Sequence, residues 1–219
     1  CADREATAVL VAINSVFQVA MFGVMGWFYL QVLPGWLGLD TTSVEFSFWS
    51  IVTAVLVFLG IPLLLGVLSR VWGEKIKGRE WFEDRFLPAV SPLAMIGLLY
   101  TIVLLFSLQG EQLVAQPTAV VRVAIPLVIY FVGMFFLALG VAKAGGMNYA
   151  QSASVAFTAA GNNFELAIAV SIGTFGAASA QALAGTIGPL IEIPVLVGLV
   201  YIMLWIGPKL FSGDKSLPS

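Results

Sequence analysis

Gly161-Asn162-Asn163-Phe164-Glu165 interrupts a stretch, FTAAGNNFELAIAVSIG, that is otherwise apolar enough to cross a bilayer. A carboxylate at that depth is costly, so it should face a cavity, hold a partner or carry a proton. The Gly-Asn-Asn break frees backbone groups that a protein-lined cavity tolerates and lipid does not. A half-helix starting at Asn162 or Asn163 would bring its positive end to Glu165 and favour the ionised acid, while desolvation opposes ionisation. Two opposed effects of this kind poise a group for reversible proton binding. The same residues also fit a plainer role, because Asn162 with Glu165 three positions later has the spacing of a capping box.

Cys1 is the second candidate. It is the one cysteine of the chain, followed by Asp3, Arg4 and Glu5 and then by an apolar segment. A helix N-terminus and Arg4 would favour the thiolate, the form that attacks electrophiles and binds soft ions. Inert packing of a lone cysteine, and an ion-paired helix start for Asp3, Arg4 and Glu5, are the alternatives. Glu192, framed by Pro189 and Pro194, is another acid within an apolar run, in a helix that the prolines must kink or loosen. Arg122 opens a further run and can snorkel to the headgroups. The segment from Ala150 to Gly161 is nearly all small side chains, which let helix backbones approach closely, whether as crossing half-helices or in ordinary packing.

A membrane must position these groups. Of 219 residues, 60% are hydrophobic and 10% charged, where a soluble domain carries roughly a quarter charged; mean hydropathy is +1.00. A spanning helix needs about 20 apolar residues. Six such runs stand between polar or proline-bearing flanks: 14–32, 46–68, 89–108, 120–141, 150–172 with its break at 161–163, and 182–206. The expectation is an all-α polytopic membrane protein, one transmembrane domain over 1–219. Segment 3–13 is too short to span and reads as the second half of an interrupted helix. With no initial Met and no signal peptide, an N-terminal part is expected to precede Cys1.

Other chemistries lack their residues. Histidine is absent, which removes the usual general base and the commonest zinc ligand. One cysteine excludes an internal disulfide and a multi-cysteine metal site. A net charge of −2 without a basic block argues against nucleic acid as a partner. No cofactor is expected. An intramembrane enzyme using Glu165 and Glu192 as acid and base would lack a nucleophile or metal motif, and no output domain supports a receptor.

Basic residues set the orientation. Arg70, Lys75, Lys77, Arg79 and Arg85 fall in 69–88, read as a loop, Lys143 follows run four, and Lys209 and Lys215 follow run six. If the runs alternate, these lie on one face, which is then cytoplasmic together with the C-terminus. The two ends of the chain can also be aligned with each other. INSVFQV from Ile13 lies beside IGPLIEI from Ile187, setting Gln18 opposite Glu192, and CADRE lies beside GNNFE, setting Glu5 opposite Glu165. The alignment needs a gap, so chance similarity and an inverted repeat both remain open. Inverted repeats with broken helices meeting near the midplane are a transporter signature.

CADREATAVLVAINSVFQVAMF, FTAAGNNFELAIAVSIG and GPLIEIPVLVGLVYIMLW together resemble the arsenite permeases of the arsenical-resistance type, in the bile acid/arsenite/riboflavin transporter superfamily. The resemblance covers essentially the whole chain. It implies a bile-acid-symporter-like fold of ten helices in two inverted repeats, with the fourth and ninth broken and crossing. This chain would then run from the second half of helix 4 through helix 10. The resemblance places the metalloid-binding thiol at Cys1 and the proton-coupling acid at Glu165. Gly161, Asn162, Asn163, Glu192, Gln18, Arg4 and Glu5 would support the cavity or its breaks. Many members have Gly after the cysteine, where this chain has Ala2. The implied activity is proton-driven export of arsenite, with antimonite as a further candidate cargo, across the cytoplasmic membrane. Trivalent arsenic is soft and suits a thiol. The alternative on the same fold is sodium-coupled uptake of an organic anion, which would use oxygen ligands and need no cysteine.

Overall fold

A segment that is apolar all round cannot leave its backbone to the solvent in hydrocarbon, and the helix satisfies every internal N–H and C=O within the segment. In the computed structural model, residues 3–39, 48–177 and 179–217 are described. Every regular element among them is helical: α1 (Arg4–Trp27), α2 (Leu33–Trp36), α3 (Phe48–Val55), α4 (Ile61–Lys77), α5 (Arg79–Trp81), α6 (Leu87–Ala115), α7 (Pro117–Ala144), α8 (Tyr149–Ala160), α9 (Phe164–Phe175) and α10 (Ala180–Leu210). Together these make 6 stretches long and apolar enough to cross a membrane, Glu5–Trp36, Phe48–Lys77, Arg79–Glu111, Pro117–Ala144, Tyr149–Phe175 and Ala180–Leu210.

Three π-helical turns, Phe28–Val32, Leu56–Gly60 and Phe82–Phe86, join α1 to α2, α3 to α4 and α5 to α6. Each is followed, one residue further on, by a proline: Pro34, Pro62 and Pro88. Proline has no N–H, and its ring crowds the carbonyl four residues back. In each case the residue just before the proline donates its N–H five residues back, Leu33 to Phe28, Ile61 to Leu56 and Leu87 to Phe82. The helix widens to admit the ring and then continues.

Two expectations differ from the structure. Segments 3–13 and 14–32 were read as separate pieces, yet α1 runs through both. No proline or glycine precedes Gly23, and Ser15 turns its hydroxyl back onto the Val11 carbonyl at 2.9 Å, so the helix passes this polar position intact. Segment 69–88, read as a loop, is helical except at Gly78, which turns the chain at φ +87°. Arg70 pairs with Glu74 at 2.9 Å and Arg79 with Glu83 at 2.8 Å, both four residues apart on the helix surface. The charges that marked a loop are instead the polar faces of two helix ends.

The chain divides into two compact units, one of residues up to Phe17 with Gln116–Ile168 and Leu183–Ser219, the other of Gln18–Ala115 with Ala169–Ala182. The first contains the interruption of the fifth span, with α8 and the start of α9 as far as Ile168. Its core gathers Phe135 and Leu139 of α7, Ala153, Ala156 and Ala160 of α8, and Leu199 and Met203 of α10. The three alanines recur at helical spacing, so one face of α8 lies close against its neighbours.

At the start of α8 each of the first amides has a partner. Asn148 and Gln151 form a reciprocal capping box. The two amides that the box leaves over are met by the segment after α10. Asp214 Oδ2 accepts from the Tyr149 N–H at 2.7 Å, and Ser216 Oγ accepts from the Ala150 N–H at 3.3 Å. Asp214 Oδ1 also accepts from the N–H and hydroxyl of Ser216. These bonds to its charged form hold the Asp214 carboxyl below the usual carboxylate range. Tyr149 is buried, its ring edge-on to Phe211 and pressed against Gly207, where a Cβ would overlap it.

Gly207→Ala should therefore lower stability by about 1–3 kcal/mol through overpacking, read as an earlier thermal transition in detergent. A carboxylate with a lowered folded pKa contributes its stabilisation above the unfolded pKa and loses it as pH falls through the folded value. The hydrogen-exchange protection factor of the Tyr149 amide should accordingly hold steady above about pH 5 and fall on further acidification. In Asp214→Asn that pH dependence should vanish.

Candidate functional site

The interruption lies between Ala160, where α8 ends, and Phe164, where α9 begins. Each helix end there releases backbone groups that need partners. Gly161 closes α8 by donating its N–H to the Phe157 carbonyl at 2.9 Å. Asn163 opens α9 as its N-cap, with Oδ1 accepting from the Leu166 N–H at 3.0 Å and its carbonyl accepting from the Ala167 N–H at 3.2 Å. Asn162, between them, donates its N–H to Glu192 Oε1 of α10 at 2.9 Å. An acid inside a membrane helix thereby serves as acceptor for a donor that the break exposes.

This register bears on Glu165. With Asn163 as the cap, the third helical position is Leu166, so Glu165 stands one residue short of the place that a capping box requires. Its side chain is exposed within the isolated chain, on the first turn of α9. The capping box read from Asn162 and Glu165 is replaced by a simple Asn163 cap. Glu165 lies within electrostatic reach of Glu192.

Packing fixes the break from two sides. The Phe164 ring is edge-on to Phe131 of α7, with centroids 6.2 Å apart. On its other side the ring sits directly on Gly188 of α10, where a Cβ would overlap it. Phe164 precedes Glu165 directly, so this seat sets the rotation of the turn carrying the acid. The Tyr130 hydroxyl of α7 makes long contacts with Asn162 Oδ1 at 3.4 Å and the Ala159 carbonyl at 3.5 Å. Gly161 is seated against Glu192, whose Oε1 would lie 3.5 Å from a Cβ there.

The start of α1 docks on α8. Asp3 caps α1, its Oδ1 accepting from the N–H groups of Glu5 at 3.0 Å and Ala6 at 3.1 Å. Its own N–H donates to Ser154 Oγ at 2.9 Å. Ser154 precedes Ala160 by six residues, about 9 Å of helix. Small side chains at Ser152, Ala153 and Ser154, all buried, leave room for this approach. Cys1 lies outside the described residues. Arg4 is the first residue of α1, the Glu5 side chain is exposed, and Gln18 is half-buried on α1 in the second unit. Glu192, Gly161, Asn162 and Asn163 come together at the break, with Glu165 beside them.

Tyr130, the Phe164–Gly188 seat, Ser154 and Asp214 were missed by sequence reasoning. A lone phenol inside an apolar run was the available signal for Tyr130, and the Asp-x-Ser spacing after the last span was the signal for Asp214. Nothing local marks Gly188 as the seat of a ring that lies on another helix.

Comparison with known proteins places the chain. The profile described as Sodium Bile acid symporter family matches residues 1–116. Over all 219 residues the chain is 81% identical to the arsenical-resistance protein Acr3 of Corynebacterium glutamicum. Over 200 residues, 91% of the chain, it is 37% identical to an uncharacterized transporter of Synechocystis sp. and 34% identical to the arsenical-resistance protein Acr3 of Alkaliphilus metalliredigens. These matches cover 59%, 50% and 54% of the respective relatives, so the chain spans little more than half their length. No solved structure matches it significantly. A family profile over more than half of the chain, in a protein with six stretches able to cross a bilayer among its described residues, makes this multi-pass membrane protein a member of the Sodium Bile acid symporter family.

Proposed function

We propose that the chain is part of an arsenite efflux permease of the cytoplasmic membrane that exports trivalent arsenic in exchange for protons. The observation that carries this reading is the 81% identity, over the whole chain, to a protein named for arsenical resistance. Cys1 is the metalloid ligand. Its thiol displaces one hydroxyl of neutral arsenous acid, forming a sulfur–arsenic bond and releasing water, and the reverse step frees the cargo. A single thiolate suits a carrier, because three would hold a thiophilic ion too firmly to release it. Glu165 carries the proton. Support for that role comes from the Asn163 cap, which leaves the acid without a capping duty, and from its place at the positive end of α9. Antimonite, with the same preference for sulfur, is a second cargo. The clustering of eight of the 10 basic residues on one expected face supports a cytoplasmic C-terminus.

In everted vesicles containing the complete protein, Cys1→Ala and Glu165→Gln should each lower arsenite uptake by roughly tenfold or more. A normal rate in either variant removes the role assigned to that residue. Collapsing the proton gradient should abolish accumulation of arsenite in the same vesicles, and accumulation that persists would dismiss the antiport.

The family description keeps sodium-coupled uptake of an organic anion as the second reading. Sodium-dependent uptake of a bile-acid anion that survives thiol alkylation would favour it over arsenite export.

A further inference from the structure

The ends of α7 and α10 and the start of α8 meet at one corner of the first unit. Tyr149, the first residue of α8, lies edge-on to Phe211 and rests on Gly207 of α10. The Lys143 Nζ of α7 stands 5.8 Å from the centre of the same Phe211 ring. Lys209 is the last residue but one of α10, and Lys215 follows in the tail. All three lysines are exposed. Lys215 is not on a loose end, because Asp214 before it takes the Tyr149 N–H and Ser216 after it takes the Ala150 N–H.

The chain leaves these charges uncompensated. Among the described residues none of the three lysines forms an ion pair, whereas around Gly78 the arginines do, Arg70 with Glu74 and Arg79 with Glu83. Asp214 is the one carboxylate in 141–149 and 205–217. Its Oδ2 serves the Tyr149 N–H and its Oδ1 serves Ser216. Asp3, whose N–H reaches the Ala150 carbonyl, turns its own carboxylate back onto α1.

The patch stands where two spans end. These are Pro117–Ala144 and Ala180–Leu210, so Lys143 and Lys209 are each one residue from a span's end. The Lys209 Nζ lies 3.9 Å from the centre of the Trp205 ring, one turn earlier and exposed. A lysine folded over an exposed tryptophan suits the membrane–water boundary, with the ring among the upper acyl carbons and the ammonium at headgroup depth. Below Trp205 an exposed apolar row continues at four-residue spacing through Tyr201, Val197 and Ile193, which places the row along one face of α10.

We propose that Lys143, Lys209 and Lys215 form a headgroup site for an anionic phospholipid, whose phosphate sits among the three ammonium groups while an acyl chain follows the row that ends at Trp205. Basic pockets between the ends of membrane helices hold such headgroups. The apolar row selects a lipid over free phosphate, which has nothing to lay along it. The 12 residues of α8, about 18 Å of helix, separate this corner from the break, so the site stands apart from the identity of the cargo.

The test uses the complete protein in a zwitterionic detergent with phosphatidylglycerol and phosphatidylcholine of identical chains, and native mass spectrometry counts the lipids retained. The wild type should prefer phosphatidylglycerol. Lys143→Gln, Lys209→Gln and Lys215→Gln should each lower that preference by about fivefold, the factor for one lysine beside an anionic lipid. Lys209→Arg should keep it, and Lys75→Gln, near the turn at Gly78, should leave it unchanged. A preference that any of the three glutamine variants leaves intact would overturn the three-lysine site. An equal loss in Lys75→Gln would also overturn it, because the attraction would then belong to the basic surface as a whole. Displacement of the lipid by inorganic phosphate, beyond that by chloride of equal ionic strength, would reveal a plain anion site and refute the lipid.

Discussion

A helix interrupted inside hydrocarbon must find partners for every backbone group that its two new ends release. That requirement organises the fifth span. Asn163 supplies a side-chain acceptor, Glu192 reaches across from α10 to take the Asn162 N–H, and Gly161 folds its N–H back into α8. Each solution places a polar group at mid-span, so the cost of the break is offset by a small set of oxygens and amides clustered there. Among the described residues, Glu165 takes no part in the cap of α9.

The same unit shows why α8 is built from small residues. Ala153, Ala156 and Ala160 bring α8 against α7 and α10, while Ser154 leaves room for the backbone of Asp3 to reach its hydroxyl. Large side chains enter where a neighbour offers glycine, with Phe164 on Gly188 and Tyr149 on Gly207. The two seats lie on one helix, α10, which therefore packs against both the first turn of α8 and the first turn of α9. Dispersion between close surfaces is the main attraction open to helices in lipid, where burial of apolar area gains little.

How much of this was legible in the sequence depends on range. Six apolar helices follow from composition within windows of about 20 residues, the scale that hydropathy reports. The interruption is equally local, since Gly-Asn-Asn offers side chains that compete with the backbone. The cap lies on Asn163 instead of Asn162 because one carbonyl oxygen decides it, and the two asparagines are alike in type. The continuity of α1 and the helical state of 69–88 were obscured for a different reason: polar residues on an exposed helix face carry the composition of a loop. Partners that join distant elements, such as Tyr130 with Asn162 or Asp214 with Tyr149, depend on which helices meet, and no short pattern encodes that.

The three widened turns carry a mechanical consequence. Because Pro34, Pro62 and Pro88 have no N–H to give, at least one carbonyl in each preceding turn lacks a backbone donor. Bending an ordinary helix stretches a bond on its convex side, and here that bond is already missing. All three widened turns fall within the second unit, and each lets its span bend there at lower cost than an unbroken helix would.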